Sequence, residues 1–96
     1  MFSSGMFATG KVIGTGSDLV VAGDKCGFKP RSIKVLNATT GVSLFYEENM
    51  GTSAAKRAVD GTATFEASYV TLQADGFKLA AAVAADEDEV YYEAIG

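Results

Sequence analysis

From Arg31 to Glu47 apolar and polar side chains alternate with a period of two, broken once by Asn37-Ala38-Thr39-Thr40-Gly41. Ile33 and Val35 fall on one side of the first run, Lys34 and Leu36 on the other. Val42, Leu44 and Tyr46 then share one side of the second run, with Ser43, Phe45 and Glu47 opposite. A period of two places successive side chains on opposite faces of a strand, so residues 31–47 predict a β-hairpin. Pro30, the sole proline, stands at the mouth of its first strand. There a missing N–H is tolerated, and the ring pushes Lys29 toward extended geometry.

The remaining runs are of the same kind. Lys11-Val12-Ile13 and Asp18 to Ala22 flank Gly14-Thr15-Gly16-Ser17, which supplies the turn chemistry of a second hairpin. Thr62 to Glu66 and Tyr69 to Gln73 are β-branched and aromatic. Asp75-Gly76 marks a turn, after which Phe77, Leu79, Ala81 and Val83 alternate. Leu79 to Ala85 also has high helix propensity. A helix there would stack Asp86-Glu87-Asp88-Glu89 at the negative end of its dipole, which favours a strand followed by an acidic loop. Val90 to Ile95 predicts a closing strand. Thr52-Ser53 is suited to cap one short helix near 52–59, and an irregular loop with an edge strand fits those residues equally well. The expected fold is all-β, a small antiparallel β-sandwich or jelly roll of about eight short strands. Residues 11–96 form its single domain, behind a flexible N-terminal arm at 1–10.

Ninety-six residues suffice for one domain with a modest core, a limit that assembly with other copies would relieve. Eight basic residues against twelve acidic ones give a net charge of −4, which argues against nucleic-acid binding. No run of about 18 apolar residues provides a membrane span, and the first residues lack the basic and apolar regions of a signal peptide. Cys26 is the only cysteine and has no partner within the chain for a disulfide.

Few patterns carry chemistry. Gly5 to Lys11 matches most of a phosphate-binding loop, but Val12 stands where a Ser or Thr must hold the metal. The chain has no histidine, which removes the common Ser/His and Cys/His arrangements. Lys25 beside Cys26 is a weak activator of a thiol, and a core cysteine is the better reading. Asp86 to Glu89 lacks the spacing of a calcium loop and reads as a solvated acidic turn. Glu47 and Glu48, neighbours on a strand, point to opposite faces and make a poor catalytic pair. Asn37-Ala38-Thr39 is a glycosylation sequon by pattern alone. Tyr46, Tyr69, Tyr91 and Tyr92 with Phe45 suit a core better than a sugar-stacking patch. Lys29, Arg31, Lys34, Lys56 and Arg57 are half of a bipolar surface, with the acidic run as the other half, or else scattered surface charge.

Two stretches together resemble small bacteriophage structural proteins. Gly27-Phe28-Lys29-Pro30-Arg31-Ser32-Ile33-Lys34-Val35-Leu36-Asn37 is similar to their first marked strand, and Val42 to Met50 to the element that follows it. Gly76-Phe77-Lys78-Leu79 and Tyr91 to Gly96 resemble their C-terminal signature, so the likeness covers residues 27–96. It implies a β-sandwich or jelly-roll module without catalytic residues or cofactor. Its expected role is head decoration: a homo-oligomer on the virion surface, bound to the major capsid protein and made in a bacterial cytoplasm. The alternative it implies is a tail-fibre module akin to H-type lectin domains, which would bind glycans. The tryptophan-bearing aromatic site of such modules is Phe45-Tyr46 here, and the chain has no tryptophan. The residues expected to touch the partner are Phe2, Met6 and Phe7 as an N-terminal anchor, with Arg31, Lys56 and Arg57.

Overall fold

The computed structural model describes residues 6–96 and contains nine strands. They are β1 (Phe7–Ile13), β2 (Leu19–Ala22), β3 (Ser32–Asn37), β4 (Val42–Glu47), β5 (Ser53–Arg57), β6 (Ala63–Ala67), β7 (Val70–Gln73), β8 (Gly76–Leu79) and β9 (Glu89–Ile95). Two antiparallel sheets form from them, ordered β1-β9-β3-β4-β5-β6 and β2-β8-β7. The fold is thus an all-β sandwich. Its layers are uneven, six strands against three, unlike the even layers of a jelly roll.

The hairpin of residues 31–47 forms as β3–β4, with Ile33 opposite Tyr46 and Val35 opposite Leu44. These four side chains are buried, together with Val90, Tyr92 and Ala94 of β9. Across the core the short sheet supplies Val21, Val70, Phe77 and Leu79. The Phe77 and Tyr92 rings meet edge to face, their centroids 5.7 Å apart. Pro30 is buried just ahead of β3. After it the Arg31 N–H donates to the Ile95 carbonyl at 2.7 Å, which ties the strand entry to β9.

Two glycines permit close approaches. A Cβ on Gly76 would lie 1.9 Å from the Val21 carbonyl oxygen, so β2 pairs with β8 only because that position is bare. A Cβ on Gly10 would lie 2.7 Å from the Tyr92 hydroxyl oxygen, since the Tyr92 ring lies over β1.

Several expectations need correction. The 11–22 hairpin does not form: β1 pairs with β9 and β2 with β8, so Gly14 to Ser17 carries the chain from one sheet to the other. No helix occupies 52–59. Residues 53–57 are an interior strand, paired with β4 on one side and β6 on the other. A segment this short cannot sustain a helix alone, whereas two neighbours satisfy its backbone. The arm expected at 1–10 already belongs to the sheet from Phe7, because β9 offers that stretch a complete ladder from Phe7↔Ile95 to Ile13↔Glu89. The strand expected to continue through Val83 stops at Leu79, and Ala81–Val83 forms a single 3-10 turn.

The acidic run is not merely a solvated turn. Asp88 is buried, and its Oδ2 accepts from Asn37 Nδ2 at 2.9 Å and from the Ala85 N–H at 3.0 Å. Asn37 Nδ2 also donates to the Val83 carbonyl at 3.1 Å. Asn37 Oδ1 accepts from the N–H groups of Thr39 and Thr40. This buried knot ties the end of β3 to the chain entering β9.

Candidate functional site

The two faces of the long sheet differ in cover. The inner face is roofed by the short sheet, and nothing among the described residues covers the outer face. Along β3, β4 and β9 the outward positions are Lys34 and Leu36, Ser43 and Phe45, and Tyr91 and Glu93. Register places them in rows. Tyr91, Leu36, Ser43, Arg57 and Ala63 stand in one row, and Glu93, Lys34, Phe45, Ala55 and Phe65 in the next. Directly opposed side chains in such rows are about 5 Å apart at Cβ, so these residues form one surface.

Their centre is a shallow apolar groove of about 720 Å³, lined by Leu36, Phe45, Ala55, Ala63 and Tyr91 and edged by Lys34, Arg57 and Glu93. Most of the large exposed apolar side chains belong to this face. Phe7, Ile13, Leu36, Phe45, Phe65 and Tyr91 are all on it, with Phe65 at 73% exposure. The outward face of the short sheet presents Val20 and Ala22 beside Thr71, Gln73 and Lys78. Clustering of exposed apolar surface on one face, rimmed by charge, marks an interaction surface. The rim is charged with both signs, Lys34 standing opposite Glu93 and Lys11 lying 3.9 Å from Glu89.

The residues expected to meet a partner do not converge. Phe7 and Arg57 both face outward on the long sheet but on strands far apart in it, β1 and β5. Met6 is exposed just ahead of β1, and Arg31 is exposed at the entry to β3. Lys56 is on the inner face, opposite Leu44, with its Nζ 6.0 Å from the centre of the Tyr69 ring. Phe2 lies outside the described residues, as does Gly5 of the phosphate-loop match. Residues 7–11 of that match are extended in β1 and form no loop.

The aromatic residues divide between core and surface. Tyr46 and Tyr92 are buried, their hydroxyls donating to the carbonyls of Gly51 and Lys25. Burial, with Cys26 and Asp24 nearby, raises the Tyr92 pKa above 10.0. Phe45 and Tyr91 stand on the open face, as do Phe7 and Phe65. Asn37 is only 2% exposed with its amide engaged, so the sequon is closed to glycosylation as folded. The half-buried Cys26 thiol donates to the Phe28 carbonyl at 3.3 Å. Glu47 caps the 3-10 turn at Glu48–Met50 by accepting from the Asn49 N–H at 2.7 Å. Among the described residues no group of three or more acidic or cysteine side chains is placed to hold a metal ion, and no helix is long and apolar enough to cross a membrane.

The groove itself escaped the sequence reading. Lys34, Leu36 and Phe45 were legible one by one as strand residues and Arg57 was not, and their assembly depends on the pairing of β9 with β3 and of β5 with β4. Searches of family models, curated proteins and solved structures find no match to this chain.

Proposed function

We propose that this chain is a non-enzymatic structural protein of a virion, a capsid decoration protein that lies on the shell of the major capsid protein and stabilises the head. The observation that carries the reading is the concentration of exposed apolar side chains on the outer face of the long sheet. An apolar centre with a polar rim is the usual anatomy of a protein–protein interface. Many such modest contacts, summed over a repeating shell, give tight overall attachment. The likeness of residues 27–96 to small phage structural proteins supports the same reading.

Immunogold labelling of particles from the source lysate, with copy number from quantitative mass spectrometry, tests it. The expected result is label over the head at high copy number. Absence of label from particles would sink the proposal.

A second reading is a carbohydrate-binding module of a tail fibre. It is favoured by Phe45 and Tyr91, exposed beside Lys34, Arg57 and Glu93, since sugars stack on aromatic rings while polar groups bind their hydroxyls. It predicts label at the tail tip in few copies and glycan-array binding lost in Tyr91→Ala. Tyr46, buried in the core, is unsuited to that test.

A further inference from the structure

Among the described residues strand β6 is the last strand of the long sheet and pairs only with β5. Its outer edge therefore presents unpaired backbone N–H and C=O groups. Natural edges are usually blunted by lysine, proline or a bulge. The β6 sequence, Ala63-Thr64-Phe65-Glu66-Ala67, contains no lysine or proline, its one charge, Glu66, lies on the inner face and accepts from the Thr64 hydroxyl at 2.9 Å, and its ladder with β5 runs unbroken over all five residues. The opposite edge, β1, carries Lys11 near its middle.

We infer that β6 is the seam of a homodimer, in which two copies pair this strand antiparallel about a two-fold axis through Phe65. Two arguments carry this. The first is register. A two-fold axis normal to the sheet sets outward residues opposite outward residues, so it centres on Thr64, Phe65 or Glu66. Centring on Glu66 sets two carboxylates directly opposite each other, which is unfavourable. Centring on Thr64 runs Glu66 and Ala67 past the end of the partner strand. Centring on Phe65 uses the whole strand: Ala63 meets Ala67 of the partner subunit, Thr64 meets Glu66 of the partner subunit, and the two Phe65 rings stand side by side.

The second argument is surface continuity. The outward row Phe45–Ala55–Phe65 runs on into the same row of the second copy, so the dimer doubles one apolar face and buries the most exposed aromatic of that face.

The test is the mass of the full chain in solution by sedimentation equilibrium. The expected mass is twice the 10.0 kDa of one chain. Phe65→Lys should weaken the dimer at least about tenfold with an unchanged circular dichroism spectrum, because a cation is then set opposite its own copy. Cysteine variants made in Cys26→Ser fix the register under mild oxidation. Phe65→Cys should give a covalent dimer, Ala63→Cys alone should not, and Ala63→Cys mixed with Ala67→Cys should. A wild-type monomer at all concentrations, a dimer indifferent to Phe65→Lys, or cross-linking of Ala63→Cys as ready as that of Phe65→Cys would each overturn the inference. So would rings or filaments, which head-to-tail pairing of β6 with β1 would produce.

Discussion

Asn37 ends β3 with its carboxamide buried in four hydrogen bonds, two donated to Val83 and Asp88 and two accepted from the N–H groups of Thr39 and Thr40. Replacing a group so engaged strands its partners away from water, and each stranded partner costs more than an average hydrogen bond contributes. Asn37→Ala is therefore expected to lose about 3 kcal/mol in urea unfolding. Asp88→Asn keeps the shape and one acceptor, and is expected to lose about 1 kcal/mol. Equal losses in the two variants would show that the knot does not act through these bonds. Tyr92 makes a pH-dependent prediction. Its folded pKa lies above 10.0, so the unfolded chain ionises first. The stability tied to this phenol is whole below pH 10.0 and drains as the pH climbs through the folded value. Tyr92→Phe should start about 1 kcal/mol lower at neutral pH, for want of the bond to Lys25. Its melting temperature should then fall less steeply than that of the wild type between about pH 9 and about pH 11, once lysine ionisation common to both is subtracted.

The bare Gly76 lets β2 lie against β8, and the neighbouring atoms that a Cβ would strike belong to backbone and cannot swing aside. Gly76→Ala is expected to cost about 3 kcal/mol or more and to raise amide exchange across β2 ahead of the long sheet. Uniform exchange over both sheets would place the strain elsewhere. How far the elements were legible follows from what each one needs. The β3–β4 hairpin and β9 are written locally: alternation fixes the faces of Ile33, Val35, Leu44, Tyr46, Val90 and Tyr92, and all six are buried. Strand β5 was ambiguous because Ala54, Ala55, Lys56 and Arg57 favour a helix by propensity, and only pairing on both sides overrides that. The sheet exchange after β1 left no local trace, since Gly14 to Ser17 would serve a hairpin equally well. Asp88 read as solvent-exposed because its partner, Asn37, is 51 residues away in sequence. The groove was hidden for the same reason: Tyr91 and Phe45 become neighbours only through β3.

The molecule as a whole measures 41 × 25 × 18 Å, and its long sheet has one face covered by the short sheet and one open. Substitutions on the open face should separate binding from folding. Phe45→Ser and Tyr91→Ser, both partly exposed, are expected to change stability by less than about 1 kcal/mol. The same variants should weaken attachment to the particle, or to a glycan on the second reading. A matched loss of melting temperature and attachment would mean that these side chains serve the fold. The order of the long sheet has a further consequence. Strand β9 sits between β1 and β3, so β1 has no partner in the sheet until residues 89–95 have been synthesised. A chain emerging from the ribosome can assemble β3 to β6 from near neighbours, while β1 must wait with Ala8 and Val12, its core-facing side chains, in water. Chaperone capture during translation should therefore centre on the first strand, the earliest made and among the last to be housed.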